Sequence, residues 1–153
     1  EVKAKLPKGV GIWPAIWMLS TNWEYGGWPE SGEIDIMENV GYWHDSVFTS
    51  VHTESYNHII KTQKTKGIYL PDLSTAFHVY AIEWTADEIK FFVDDTSYMQ
   101  FRNEHTGSKV WPFDKAFHLI LNIAVGGGWG GKHGVDDTVF PQKMLVDYVR
   151  VYQ

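Results

Sequence analysis

Three carboxylates fall within six residues of the segment GEIDIMEN, at Glu33, Asp35 and Glu38. Carboxyl groups gathered this closely suit cleavage of an acetal: one attacks the anomeric carbon while another protonates the leaving oxygen, and retention of configuration needs the two about 5 to 5.5 Å apart. Two other uses of the same residues are a divalent metal site, for which His44, Asp45 and His52 are the nearest further ligands in sequence, and a solvated strand face. Register separates these readings. In an unbroken strand, Glu38 shares a face with Ile34 and Ile36, where an unpaired charge is expensive. One extra residue at Ile36 and Met37, a β-bulge, returns Glu38 to the face of Glu33 and Asp35. The end Cα atoms then lie roughly 13 Å apart, a gap that glutamate side chains leaning inward from a twisted strand can close. Asp35, between them, is placed to hydrogen-bond one partner and to raise the proton affinity of its neighbours.

Aromatic side chains surround this segment: the chain carries 8 Trp, 8 Tyr and 8 Phe, 16% of its residues, an excess that suits flat ligands such as sugar rings as well as core packing. Trp28 stands five residues before Glu33, close enough to wall a cleft, while Trp23 and Tyr25 in the same loop suit a lid or the core equally. His52 alternates with Phe48 and Ser50, opposite Val47, Thr49 and Val51, so it belongs to the cleft side of its strand. In AFHLILNIAV the face of His118, Ile120, Asn122 and Ala124 carries the polar groups, which makes Asn122 a candidate for hydrogen bonds to substrate. Trp129 projects from GGGWGG as a sugar platform; the run lacks the full GxxxxGK[ST] pattern and the following helix of a phosphate loop. Trp13 and Trp17 share a face by spacing, with at least one expected in the core, and Trp84 divides evenly between core and cleft. His44, His58, His78, His105 and His133 show no metal-ligand spacing and are read as structural or surface groups.

The elements that must position these residues are short strands. Alternation or apolar density marks strands over 1–6, 13–19, 32–40, 46–53, 77–84, 88–95, 97–101, 116–125 and 142–152, with a weaker one from His58 to Thr62. No helical stripe, repeat or low-complexity linker interrupts them. The chain reads as an all-β protein, a jelly-roll β-sandwich with a concave face for the cleft. Its 153 residues make one domain, and the alternation of EVKAKL from the first residue implies that the chain opens inside a strand. No apolar run approaches the roughly 18 residues of a membrane span. A net charge of −6 gives no general attraction to nucleic acid or to an anionic membrane, and the absence of cysteine excludes thiol chemistry and disulfides.

GEIDIMEN resembles the signature of glycoside hydrolase family 16, in the bulged Glu-x-Asp-x-x-Glu form typical of laminarinases, the endo-β-1,3-glucanases. KLPKGVGIWPAIWML, WPESGEIDIMENVG, FHVYAIEWTADEIKFFVDD, FHLILNIAVGGGWGG and MLVDYVRVYQ resemble successive segments of that family along the whole chain. The resemblance implies a concanavalin A-like jelly roll with an open cleft, secreted or periplasmic, that cuts β-1,3-glucan internally with retention. It makes Glu33 the nucleophile, Asp35 the assisting residue and Glu38 the general acid/base. Trp28 would be the sugar-stacking tryptophan, and His52 the histidine that adjoins the acid/base. It implies no organic cofactor, and a structural calcium at Asp147 whose other ligands would precede residue 1. Strands that precede this point in the family would leave the domain N-terminally incomplete here, with open edges free to pair with another chain. Mixed-linkage β-1,3-1,4-glucan, agar or carrageenan hydrolysis, transglycosylation, and a non-catalytic β-glucan-binding module remain the alternatives.

Overall fold

In the computed structural model, which describes residues 1–153, the alternating segments form ten β-strands. They are β1 (Val2–Lys5), β2 (Ile12–Ser20), β3 (Glu33–Glu38), β4 (Ser46–His52), β5 (Lys64–Tyr69), β6 (His78–Trp84), β7 (Glu88–Val93), β8 (Thr96–Arg102), β9 (Phe117–Val125) and β10 (Leu145–Val149). Two five-stranded sheets result, ordered β10-β1-β6-β7-β8 and β5-β4-β3-β2-β9. All pairings are antiparallel, and β3 packs over β6 while β5 packs over β8, which stacks the sheets as the expected jelly-roll sandwich.

Alternation fills the space between the sheets. Ile16, Ile34, Ile36, Met37, Val47 and Val51 from one sheet meet Val2, Ala4, Tyr80, Ile89, Phe91 and Val93 from the other. Trp111 and Phe113, in the loop before β9, close one side of this core. The opposite face of the β5-β4-β3-β2-β9 sheet is left to carry the polar residues of the site.

Sequence and structure part at two places. The segment expected as a strand from His58 to Thr62 is a turn, because the Asn57 side-chain oxygen accepts from the backbone N–H groups of Ile59 and Ile60 and folds the chain back. The strand here is β5, whose lysine-rich, exposed edge carries little apolar alternation. The last strand spans only Leu145–Val149, and Asp137–Val139 forms a 3₁₀ turn ahead of it. Pro14 is the third residue of β2, a central strand, where its missing N–H falls near the strand start.

Candidate active site

The bulge lies where the register argument needs it. On the β2 side Ile16 pairs with Met37 and Trp17 with Asp35, passing over Ile36; on the β4 side Asp35 pairs with Ser50 and Glu38 with Phe48. Ile36 and Met37 both turn into the core, and Glu33, Asp35 and Glu38 share the other face. A bulge frees backbone groups, and the Asp35 carbonyl finds its partner in the Thr49 hydroxyl, which donates to it at 2.5 Å from the core side of β4.

Each glutamate receives one indole N–H. Trp28 Nε1 donates to Glu33 Oε2 at 2.8 Å, and Trp13 Nε1 donates to Glu38 Oε1 at 3.0 Å. Trp28 is presented by a loop whose fold is fixed by Ser31, which accepts from the Tyr25 N–H and donates to the Gly26 carbonyl. Gly32, the residue before β3, has φ +83°, with Pro112 and Phe113 against the side where a Cβ would be. Trp17 Nε1 donates to Asn122 Oδ1 at 2.8 Å, so both tryptophans of β2 lie on the cleft face and the expectation of one in the core is corrected. That polar face is half-exposed, whereas a core position would leave the indole N–H groups unpaired. Trp84 goes the other way: it packs against the core and donates to the Phe113 carbonyl.

His52 stands across from Glu33, with Nε2 3.4 Å from Asp35 Oδ2 and 3.9 Å from Glu33 Oε1. The expected place beside the acid/base is therefore corrected: antiparallel pairing sets His52 at the Glu33 end of β3, and Phe48 takes the Glu38 end. At 6% exposure His52 supports the cleft from below. Above it, the His58 ring lies 4.9 Å from Trp28 and 5.3 Å from His52. Trp129 meets Trp13 edge-on at 5.6 Å and Phe48 at 5.4 Å. Trp43, half-exposed, continues that aromatic line from Phe48 at 5.2 Å. From sequence, Phe48 shares the face of His52 with no role of its own and His58 reads as a structural or surface group; Trp43 is not singled out, and the run GYW after the acidic segment is the available signal for it. Trp23 is exposed, and Tyr25 is tied outward through its hydroxyl to Asp114.

Burial sets the electrostatics. It pushes Glu38 well above the usual carboxylate range, and the Asp35 charge adds to this while the Trp13 N–H opposes it. Burial also raises Asp35 strongly, reinforced by the charge of Glu33 and a hydrogen bond to it. Glu33 is raised by burial, but His52, the Trp28 N–H and the Asp35 hydrogen bond all pull it back. Burial thus raises both carboxyls, and it raises Asp35 the more strongly. Burial lowers His52, against the attraction of Glu33.

Glu33, Asp35 and His52 are also the residues whose ligand atoms converge to within 4.8 Å, so any cation held here would occupy the same site; His44 and Asp45 are not part of that group. Asp147 lies on the outer side of β10, half-exposed and paired with Lys3 Nζ at 2.9 Å. Calcium takes six to eight oxygens, so Asp147 would be one ligand among several.

One face of the β5-β4-β3-β2-β9 sheet thus carries three carboxyls, two of them bonded by indole N–H groups, with aromatic rings on either side, an arrangement suited to a carbohydrate. Residues 1–150 match the family model described as glycosyl hydrolases family 16, and the chain belongs to that family. Among its relatives, the chain is 54% identical over 160 residues to a beta-glucanase of Rhodothermus marinus, covering 100% of this chain and 56% of that protein. The X-ray structure of the laminarinase from Rhodothermus marinus superposes with a TM-score of 0.97 at 53% identity, covering 99% of this chain and 63% of the other. A beta-1,3-glucan-binding protein of Penaeus monodon is 39% identical over 153 residues, covering 83% of this chain and 42% of the relative. The chain thus spans little more than half the length of the first of these relatives.

Proposed function

We propose that this protein hydrolyses β-1,3-glucan within the chain, by double displacement with retention. The observation that carries the reading is the bulged β3, which sets Glu33 and Glu38 on one face with one indole donor each and a deeply buried Asp35 between them. Glu33 attacks the anomeric carbon while Glu38 gives its proton to the glycosidic oxygen; the C–O bond breaks, the shortened chain leaves as an alcohol, and a glycosyl ester remains on Glu33. Glu38, now a carboxylate, takes a proton from water as that water attacks the anomeric carbon, and the C–O bond to Glu33 breaks to release Glu33 as a carboxylate. Trp28 and Trp129 supply flat faces for sugar rings at the two ends of the acidic strand, and the Asn122 amide retains its N–H groups for a hydroxyl after its oxygen has accepted from Trp17. No step passes through calcium. The choice of β-1,3 over mixed-linkage glucan rests on the laminarinase likeness and on the bulged motif, and secretion or a periplasmic location accords with a polymeric substrate.

The relative named as a glucan-binding protein favours one second reading, a module on the same fold that binds without turnover. Glu33→Ser separates them. For the hydrolase, laminarin cleavage measured by reducing sugar is lost in this variant while oligosaccharide affinity persists; a binding module shows no cleavage in wild type or variant and equal affinity in both.

A further inference from the structure

We propose that the glycine-rich loop 126–131 is a seat for Trp13, and that Trp13 is a positioning residue which fixes the transferable proton of Glu38 on Oε2. This deepens the reading above and rests on its assignment of Glu38 as acid/base.

The seat is visible in what the glycines exclude. A Cβ at Gly127 would lie 3.4 Å from Trp13 Cζ3, and one at Gly130 would lie 2.8 Å from Trp13 Cβ and 2.6 Å from the Gly126 carbonyl oxygen. Gly126 N–H donates to the Gly11 carbonyl at 2.8 Å, and Gly131 N–H to Gly127 at 3.1 Å, which ties the loop down beside the start of β2. Trp129, on the same loop, closes over the indole edge-on. Held on these sides, the Trp13 ring has little freedom, and its N–H points at Glu38 Oε1.

The consequence is chemical. The carbonyl oxygen of a neutral carboxylic acid is a better acceptor than its hydroxyl oxygen, so an N–H fixed on Oε1 favours the form with the hydroxyl proton on Oε2. A proton donor must present its O–H, not its C=O, to the leaving oxygen. The other groups facing Glu38 do not compete for this role. Asp35 and Glu33 from β3 are the titratable neighbours, while β2, β4 and the loop present Trp13, Phe48 and Trp129, none of which titrates.

The test uses Trp13→Phe, Gly130→Ala and Gly128→Ala. Gly128 has open space around its Cβ position and no left-handed backbone, so it is the control. The carboxyl titration of Glu38 is read by carbon-13 NMR of glutamate-labelled protein, assigned with Glu38→Gln, alongside the pH profile of laminarin hydrolysis. Loss of the N–H removes a partner of the ionised form, so in Trp13→Phe the Glu38 titration and the alkaline limb both move upward by roughly one pH unit. Hydrolysis of laminarin falls on the order of 10-fold or more, and cleavage of an activated aryl glycoside, which needs no proton at departure, falls far less. Gly130→Ala reproduces the upward shift without touching a carboxylate, and Gly128→Ala matches wild type. An unmoved Glu38 titration in Trp13→Phe, or Gly130→Ala behaving like Gly128→Ala, overturns the proposal. Retained laminarin cleavage in Glu38→Gln instead overturns the acid/base assignment beneath it, and the NMR titration reports on the seat even where no hydrolysis is measured.

Discussion

At the scale of single residues, the site works by giving three neighbouring carboxyls different surroundings. Burial raises Glu33, while the Trp28 indole, His52 and Asp35 that face it pull it back toward the ordinary carboxylate range. Asp35, 2% exposed, is pushed well above the ordinary carboxylate range because burial and the charge of Glu33 both oppose its ionisation. That has a price in stability whose sign can be worked out. The unfolded chain releases the Asp35 proton near the ordinary carboxylate value, whereas the folded chain holds it to higher pH, so stability falls as pH rises from about 4 toward the folded value. Asp35→Asn, always neutral and still able to donate to Glu33, escapes this loss. Its melting temperature relative to wild type is expected to be higher at pH 7 than at pH 4 by roughly 2–4 °C, as read by calorimetry at both pH values. An equal difference at the two values would show that Asp35 is ionised in the folded protein.

At the scale of elements, the bulge in β3 is the device that turns a strand into a site. Its freed carbonyl is held by Thr49, which belongs to the core-facing row of β4 and touches no substrate surface. Thr49→Val keeps shape and removes the hydroxyl, so it is expected to cost about 1–2 kcal/mol in urea unfolding and to lower turnover by letting Glu38 drift. Unchanged stability would mean that the bulge is held by its own buried Ile36 and Met37 alone. The bulge was legible from sequence because regular alternation would have buried Glu38 among isoleucines, a conflict with one inexpensive remedy. β5 was not legible, since an exposed edge rich in lysine lacks the apolar period that marks a strand, and the Asn57 turn before it depends on one buried amide meeting two backbone N–H groups. The two indole bonds were equally hidden: that Trp13 reaches Glu38 depends on which strand β2 neighbours and in which register, information that pairing supplies and local pattern does not. Trp28 was legible because the same loop leads directly into Glu33.

At the scale of the whole molecule, the sandwich is well closed where β3 lies over β6 and open along the side where β9 and β10, one edge strand of each sheet, end it. Val146 and Val149 of β10 are 42% and 45% exposed although they pair with the buried Ala4 and Val2, and Leu119 and Leu121 of β9 are only partly covered. Apolar edges of this kind associate. Sedimentation velocity on the 153-residue chain is expected to show concentration-dependent self-association that Val146→Lys with Val149→Lys weakens; a monomer at every concentration would show that this end needs no cover. The catalytic face is on the other side of its sheet from the core, so its chemistry can be tested independently of that edge. The most direct test of the central claim is time-resolved proton NMR of laminarin hydrolysis by folded protein, following the anomeric signals of the new reducing ends. Attack by Glu33 and return of water through Glu38 predict that the β-anomer appears first and then mutarotates, and that Glu33→Ser yields neither signal. The α-anomer appearing first, or new ends forming at the wild-type rate in Glu33→Ser, would contradict the account.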